Sequence, residues 1–332
     1  MMGFTTIRRG VVALGVVSVV LAAAFQPARA DEARPLTMRF GWLPEAHEAG
    51  FWVALEKGYY RDEGLAVELR PGGKDPNSPI KEVAAGTTDV GEVGGIEQVV
   101  AAVAGGKAIR AFAAIHRETP QALLSLESAP VKSAQDLVGK TVAVPDGDAA
   151  EILLKALIKK NNIAPASVKC VPFTYDVDPL TKGAVSVVCG FSTDEALQIE
   201  AKGSKLVVWS YASMGVQSYG YTLFCSPETI AKRGRDIAAF VKASRRGWQY
   251  VFENPGESVK IMAKRFPGTL EEAVEKRKIE RMKALMLAAD GKLAGWELDK
   301  ERVAKVIAYL KDNGQVETAP TVEQIIAPEL GK

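Results

Sequence analysis

The sequence predicts an α/β protein of two lobes, each a mostly parallel sheet with flanking helices, completed by a helical C-terminal region. Three observations carry this prediction. Short β-branched runs alternate with apolar-periodic helices as β-α-β-α-β-α, and the series starts again after residue 118. The chain has 332 residues, 47% of them hydrophobic and 25% charged, which is ordinary globular composition and enough length for about two domains. From Ser226 onward apolar residues recur almost without interruption at helical spacing.

The first thirty residues stand apart. Arg8 and Arg9 precede an unbroken apolar run, VVALGVVSVVLAAAF, and Ala28 and Ala30 put small residues where a signal peptidase reads. A membrane-spanning helix needs ~20 apolar residues, and this run is shorter. Residues 1–30 therefore read as a secretory signal cleaved after Ala30. No cysteine stands at that point to take a lipid, so a freely soluble periplasmic protein is expected rather than a lipoprotein.

Beyond the signal, LTMRFGWL and LAVELRP read as strands around the helix AGFWVALEKGYYRDEG. SPIKEVAAG follows as a helix, TDVGEVG as a strand, EQVVAAVAGG as a helix and IRAFAAI as a buried strand. After HRETP the pattern restarts with ALLSLES and the helical start SAQDLVG. Strand KTVAVP, helix AAEILLKALIKKNNI, strand VKCVPF, a short helix near DPLTKG, strand VSVVCGF, helix STDEALQIEAKG and strand KLVVWSY complete a second unit. Lobe 1 is then expected to comprise 31–117 and 221–332, and lobe 2 to comprise 118–220. The chain would bend at the crossovers Ala114 to Arg117 and Ser218 to Tyr221. Pro255 and Pro267 break the C-terminal helices.

Charge and cysteines exclude several functions. Without Arg8, Arg9 and Arg29 the chain keeps 39 basic residues against 40 acidic ones, so no basic patch for nucleic acid is indicated. Cys170, Cys189 and Cys225 show no spacing that would hold zinc, and no cofactor motif is present. Cys170 and Cys189 lie in apolar runs where a cysteine serves as a small core hydrophobe; pairing between them stays open in an oxidising compartment.

In open α/β sheets the ligand lies beyond the carboxyl ends of the strands. Here those loops are rich in acids: Glu45, Glu48, Glu92, Glu97, Asp146, Asp148, Asp176, Asp178, Asp194 and Glu195, against Arg117, His47 and His116. An anion site would want the reverse, with Arg, Lys or bare helix N-termini. The bias points to a ligand rich in hydrogen-bond donors or carrying positive charge, although many of these carboxylates also suit helix caps and solvated surface.

GWLPEAHEAGFWVALEKGYYRDEGL with the GTTDVG turn resembles the type II periplasmic binding fold of ABC importers, in the branch that binds thiamine pyrimidine precursors and is shared with the eukaryotic pyrimidine-precursor synthase. Trp42, Pro44, Gly58-Tyr59-Tyr60, Asp89, Asp136-Leu137 and Asp194-Glu195 carry the resemblance. The GYY and DLxGK patterns are common to nitrate, sulfonate and taurine relatives; the Trp-Pro loop and the Asp-Glu pair point more specifically to pyrimidines. Relatives of the synthase type carry a cofactor-holding lysine and a reactive histidine in the loop after the third strand, where this chain has Val93 and Glu97. A pyridoxal phosphate Schiff base has no anchor there, and neither catalysis nor a cofactor is expected.

The resemblance implies a periplasmic solute-binding component that captures an amino-bearing N-heterocycle between two lobes, as a monomer, and delivers it to an inner-membrane permease with its ATPase. It supports Trp42 and Glu195 as ligand contacts. Loop position adds Phe51, Tyr175 and Phe191 as stacking or bordering rings, and Glu45 and Asp194 as acceptors of amino groups. His47 and Tyr219 are placed to contact ring nitrogens, and Glu97, His116 and Asp146 complete the expected set. Two rivals remain. A receptor for sulfonate, taurine, nitrate or a small carboxylate would turn Arg117 and a bare helix N-terminus into the cleft. An enzyme of the same fold would use His47 with Glu48, or His116 with Glu118, as acid and base.

Overall fold

The computed structural model describes residues 1–5, 33–73 and 75–331. Apart from its first five residues, the expected signal segment 1–30 lies outside the described residues. From residue 33 onward two five-stranded sheets are built.

The first sheet comprises β1 (Arg34–Arg39), β2 (Leu65–Arg70), β3 (Val90–Gly95), β4 (Arg110–His116) and β10 (Gly220–Cys225), in the order β2-β1-β3-β10-β4. The second comprises β5 (Gln121–Leu126), β6 (Thr141–Val144), β7 (Lys169–Pro172), β8 (Val187–Phe191) and β9 (Leu206–Ser210), in the order β7-β6-β8-β5-β9. In each sheet four strands run one way and one runs against them. The reversed strand is β10 between β3 and β4, and β5 between β8 and β9. Each is the strand that arrives from the other sheet. The sheets are mostly parallel in direction, yet half of their ladders are antiparallel.

Gly220 and Tyr221, expected at the second crossover, open strand β10, and GYTLFC is wholly buried. Its Gly and Tyr resemble crossover residues, while strands on both sides supply its pairing. Strand β1 also ends earlier than expected, at Arg39, leaving 40–45 to cross the mouth of the site.

Helices α1 (Ala49–Glu56), α2 (Tyr59–Asp62), α3 (Ser78–Ala84) and α4 (Ile96–Ala104) connect the strands of the first sheet. Helices α5 (Ala149–Lys160), α6 (Asp178–Thr181) and α7 (Glu195–Ala201) serve the second. The stretch 49–64, expected as one helix, is two: Gly58 takes φ +76, a conformation that breaks the helix and that glycine adopts without a Cβ penalty. The C-terminal region contributes α8 (Pro227–Glu253), α9 (Pro255–Arg265), α10 (Glu272–Met286), α11 (Lys300–Asp312) and α12 (Val322–Ile325). Pro255 starts α9 at a position where its missing N–H costs nothing.

Strand alternation divides the cores. On one face of the first sheet Leu36, Met38, Phe112, Ile115 and Leu223 pack with Phe51, Trp52 and Phe240 of α1 and α8. On the other face Val93, Ala111 and Phe224 pack with α4 and α11 through Val99, Val303 and Leu310. The second sheet is likewise covered on both faces, by Leu153, Leu154 and Leu157 of α5 and by Leu180, Ala196 and Ile199 of α6 and α7.

Helices α1 and α8 approach so closely that a Cβ on Gly247 would sit 1.9 Å from the Gly50 carbonyl and 2.9 Å from Ala54 Cβ. Gly247→Ala should therefore destabilise by about 1–3 kcal/mol, lowering the thermal midpoint by several degrees. Gly256→Ala, whose Cβ would meet nothing nearer than 3.7 Å, should leave the midpoint unchanged or slightly raised. Equal midpoints for the two variants in thermal denaturation would disprove the close crossing.

Candidate functional site

A cleft of about 550 Å³ of empty space, mouth included, opens between the sheets at their strand ends. The first lobe contributes Gly41, Trp42, Glu45, Pro76, Glu92 and Gly94; the second contributes Gln121, Asp148, Tyr175, Phe191, Asp194 and Glu195; Tyr221 enters from the crossover.

Six of the expected residues therefore line one cavity: Trp42, Glu45, Tyr175, Phe191, Asp194 and Glu195. The other six lie elsewhere. Phe51 is fully buried in the core against Phe40, Phe240 and Trp296, because it falls on the packed face of α1 rather than in the loop. Asp146 is exposed outside the cavity, and its neighbour Asp148 takes the lining position as N-cap of α5. Tyr219 turns into a different pocket with Arg117 and Arg302, where its hydroxyl accepts from Asp299 N at 3.0 Å. Glu97 is wholly buried at the start of α4, behind the cleft. His47 and His116 lie beneath Tyr221: the His47 ring stacks on it at 4.5 Å and 8°, and His116 meets it edge-on at 4.8 Å.

The walls are aromatic. Trp42 and Tyr175, from opposite lobes, have ring centroids 3.9 Å apart and planes tilted by 42°. Phe173 supports Tyr175 at 5.1 Å, and Phe191 meets Tyr221 edge-on at 5.3 Å. Tyr175 and Tyr221 take φ of +63 and +41, strained values for residues with a Cβ.

Glycines let backbone and carboxyls approach. Gly41 N donates to Glu92 Oε2 at 3.0 Å, and a Cβ there would lie 2.8 Å from the Glu92 carbonyl. Phe191 N donates to Glu195 Oε2 at 2.7 Å, and a Cβ on Gly190 would lie 2.9 Å from that oxygen. Asp148 Oδ1 accepts from Ala150 N at 2.8 Å and from Gln121 Nε2 at 3.2 Å, joining two elements of the second lobe.

The acidic bias expected from sequence is present, but it is largely neutralised. Lys278 of α10, which sequence reasoning did not single out, places its Nζ 2.6 Å from Glu45 Oε2, 2.6 Å from Asp194 Oδ1 and 3.2 Å from Glu275 Oε1. Its only sequence signal is helical spacing, which does not distinguish it from surface lysines. Burial would raise Glu45, yet Lys278 and His47 hold its carboxyl well below the usual range. Burial pushes Asp194 up to about 7, with Glu45 adding to it, and raises Glu195 well above its ordinary value beside Asp194. Burial also raises Glu92 and Asp148. Burial lowers His47, but Glu45, 3.0 Å from Nδ1, outweighs it and raises the ring to about 9. His116 is pushed down to about 3 by burial and by the His47 charge. The carboxyls of the cleft are thus either paired with Lys278 or His47 or pushed by burial toward their neutral forms.

All three cysteines are free, Cys189 and Cys225 buried and Cys170 exposed. Among the described residues no cluster of His, Cys, Asp and Glu suits a metal, and no helix is long and apolar enough to cross a membrane.

Two sheets exchanging one reversed strand each, with a cleft at the strand ends, define the two-lobed type II periplasmic binding fold. The aliphatic sulphonate binding protein of Escherichia coli shares it, with a TM-score of 0.68 at 14% identity over 90% of this chain and 98% of that one. The chain belongs to the NMT1/THI5-like family, whose model matches residues 45–258. A formylaminopyrimidine-binding protein of Halalkalibacterium halodurans is 24% identical over 93% of this chain and 96% of its own length. A 4-amino-5-hydroxymethyl-2-methylpyrimidine phosphate synthase of Legionella pneumophila is 26% identical over 70% and 74%. A riboflavin-binding protein of Chloroflexus aurantiacus is 26% identical over 74% and 72%. Relatives thus include both binding proteins and synthases.

Burial pushes the Glu97 carboxyl up to about 7 from an ordinary 4.5. The fold favours its protonated form, so this contribution is complete below 4.5 and is lost as pH rises through 7. Glu97→Gln should flatten the fall of the thermal midpoint between pH 5 and pH 8, an effect of up to about 3 kcal/mol. Parallel pH profiles for variant and parent would show that Glu97 ionises as an ordinary carboxylate.

Proposed function

We propose that this chain is the periplasmic solute-binding component of an ABC importer and captures a neutral, flat, amino-bearing N-heterocycle such as a thiamine pyrimidine precursor. One observation carries the reading. Trp42 and Tyr175, from opposite lobes, meet in contact at the mouth of a cleft lined by five carboxylic acids and, among the described residues, by no basic side chain, so that a planar ligand would part the two rings and stack on both. An aromatic pair grips a planar ring, and carboxyls around it accept from amino groups and donate to ring nitrogens when protonated.

The anion-receptor alternative needs cations or bare helix N-termini in the cleft. Arg117 lines another pocket, and the starts of α5 and α7 carry Asp148 and Glu195 themselves. The synthase-type alternative needs a free lysine or a working acid–base pair. The Lys278 ammonium is tied to three carboxylates, His47 lies behind Tyr221 in an ion pair with Glu45, and His116 is buried and neutral. These features favour capture over catalysis. In this reading the signal is cleaved after Ala30, the monomer closes on its ligand, and the closed form engages a permease powered by a cytoplasmic ATPase. The ligand stabilises closure by its affinity difference between the two states.

Calorimetric titration of refolded protein tests the reading with aminopyrimidines, riboflavin, alkanesulfonates, nitrate and small carboxylates. Aminopyrimidines should bind, and Tyr175→Ala and Glu195→Ala should each weaken them about tenfold or more, about 1.4 kcal/mol. Binding of riboflavin alone would shift the ligand to a larger neutral heterocycle. Binding of sulfonate, nitrate or carboxylate alone would overturn the proposal.

A further inference from the structure

Behind the acidic lining of the cleft stands a cation supplied by the chain, Lys278, which pairs with two of the lining carboxyls without lining the cavity itself. Lys278 reaches in from α10 with only 8% of its side chain exposed, and its three N–H donors face Glu45, Asp194 and Glu275. Glu45 belongs to the loop leaving the first sheet, and Asp194 to the loop entering α7 over the second. One ammonium therefore bridges both lobes at the cleft itself. The same helix holds the second lobe further out, where Arg281 donates to the Ser192 carbonyl at 3.2 Å and pairs with Glu200 at 3.0 Å, and Arg277 pairs with Glu200 at 2.9 Å.

Glu275 is itself anchored, accepting from Ala46 N at 2.6 Å next to Glu45. The three carboxyls thus form a fixed cage for one cation. Buried carboxylates demand a cation, and removing one partner of such a group strands the others at high cost. A second cation brought in by a ligand would find those acceptors occupied and an ammonium beside it.

We infer that Lys278 is a selectivity-determining residue: its ammonium fills the cation position between Glu45, Asp194 and Glu275, so that the cleft admits neutral ligands and rejects cationic ones. It is a positioning residue for the ligand's acceptors as well, since it fixes the Glu45 and Asp194 carboxyls that line the cavity. The inference rests on the proposed function only in taking this cleft as the ligand's seat.

The test needs no heterocycle. Ligand-free parent, Lys278→Ala and Lys278→Arg would be titrated with ethylammonium chloride in thermal denaturation, with sodium chloride and tetramethylammonium chloride as controls for ionic strength and for a cation that cannot donate. Lys278→Ala should gain a saturable rise of several degrees with ethylammonium alone, while the parent and Lys278→Arg stay unmoved. X-ray scattering should show the lobes of Lys278→Ala apart without ethylammonium and together with it. If Lys278→Ala does not fold, the double variant Lys278→Ala/Glu275→Gln removes one stranded charge and keeps the Glu45–Asp194 site for the same titration. A rise of equal size in the parent, or no saturable rise in Lys278→Ala and in the double variant, would overturn the assignment. Because heterocycle binding is not read, failure of the proposed function would leave this outcome intact, and the reverse.

Discussion

The site depends on how the chain crosses between its two sheets. Each crossing delivers a strand that runs against its new neighbours and is paired on both edges, β5 between β8 and β9 and β10 between β3 and β4. The two crossings also hold each other. Thr119 N donates to the Ser218 carbonyl at 3.0 Å, and Gly220 lies so near Pro120 that a Cβ would come within 2.5 Å of its Cδ. Reversed strands paired on both edges cannot slip without losing a ladder on each side. Gln121 at the start of β5 and Tyr221 one residue into β10 are thereby fixed in the lining of the cleft.

From those two positions, the rest of the cavity follows from ordinary strand-to-helix loops, and this explains which residues were legible in the sequence. Trp42, Glu45, Tyr175, Phe191, Asp194 and Glu195 stand just past strands whose β-branched runs are plain, so their place at the mouth follows from the α/β pattern. Phe51 stands one turn too far into α1, where an all-apolar helix gives no sign of which face is core. Glu97 and His116 are polar residues beside crossovers, and no local feature separates a side chain facing the cleft from one sealed behind it. Tyr221 was passed over as part of a loop because GYTLFC carries glycine and tyrosine where a central strand usually shows Val or Ile; its pairing partners come from 90–116 and leave no local mark. Lys278 illustrates the same limit over a longer span, since two of its three partners, Glu45 and Asp194, stand more than 80 residues away in the chain.

Charge in the cleft shows why residue counts mislead about ligands. Loop sequences show an excess of acids, and the structure keeps them, but burial moves Asp194, Glu195, Glu92 and Asp148 toward their neutral forms while Lys278 and His47 hold Glu45 ionised. Desolvating several like charges together is too costly for all of them to stay ionised, so the same residues become donors and acceptors rather than a field. A protonated carboxyl beside an ionised one offers both hydrogen-bond polarities to a heteroaromatic edge. That pairing separates this cleft from an anion site of the same fold.

The contact between Trp42 and Tyr175 adds the energetic side of recognition. With centroids 3.9 Å apart the two rings occupy each other's faces, and Tyr175 holds a strained backbone while doing so. A planar ligand entering between the lobes replaces one aromatic contact with two, one on each face. The gain is the difference between those contacts and the single one lost, so a ligand with one polar edge and no extended face gains little here, however well its charge is met. On the proposed reading, flatness is selected by the walls and neutrality by the cage around Lys278; the two constraints act on different atoms of the ligand and come from different parts of the chain. Closure rewards a molecule only when both are satisfied, because a ligand shifts the open and closed populations by its differential affinity alone.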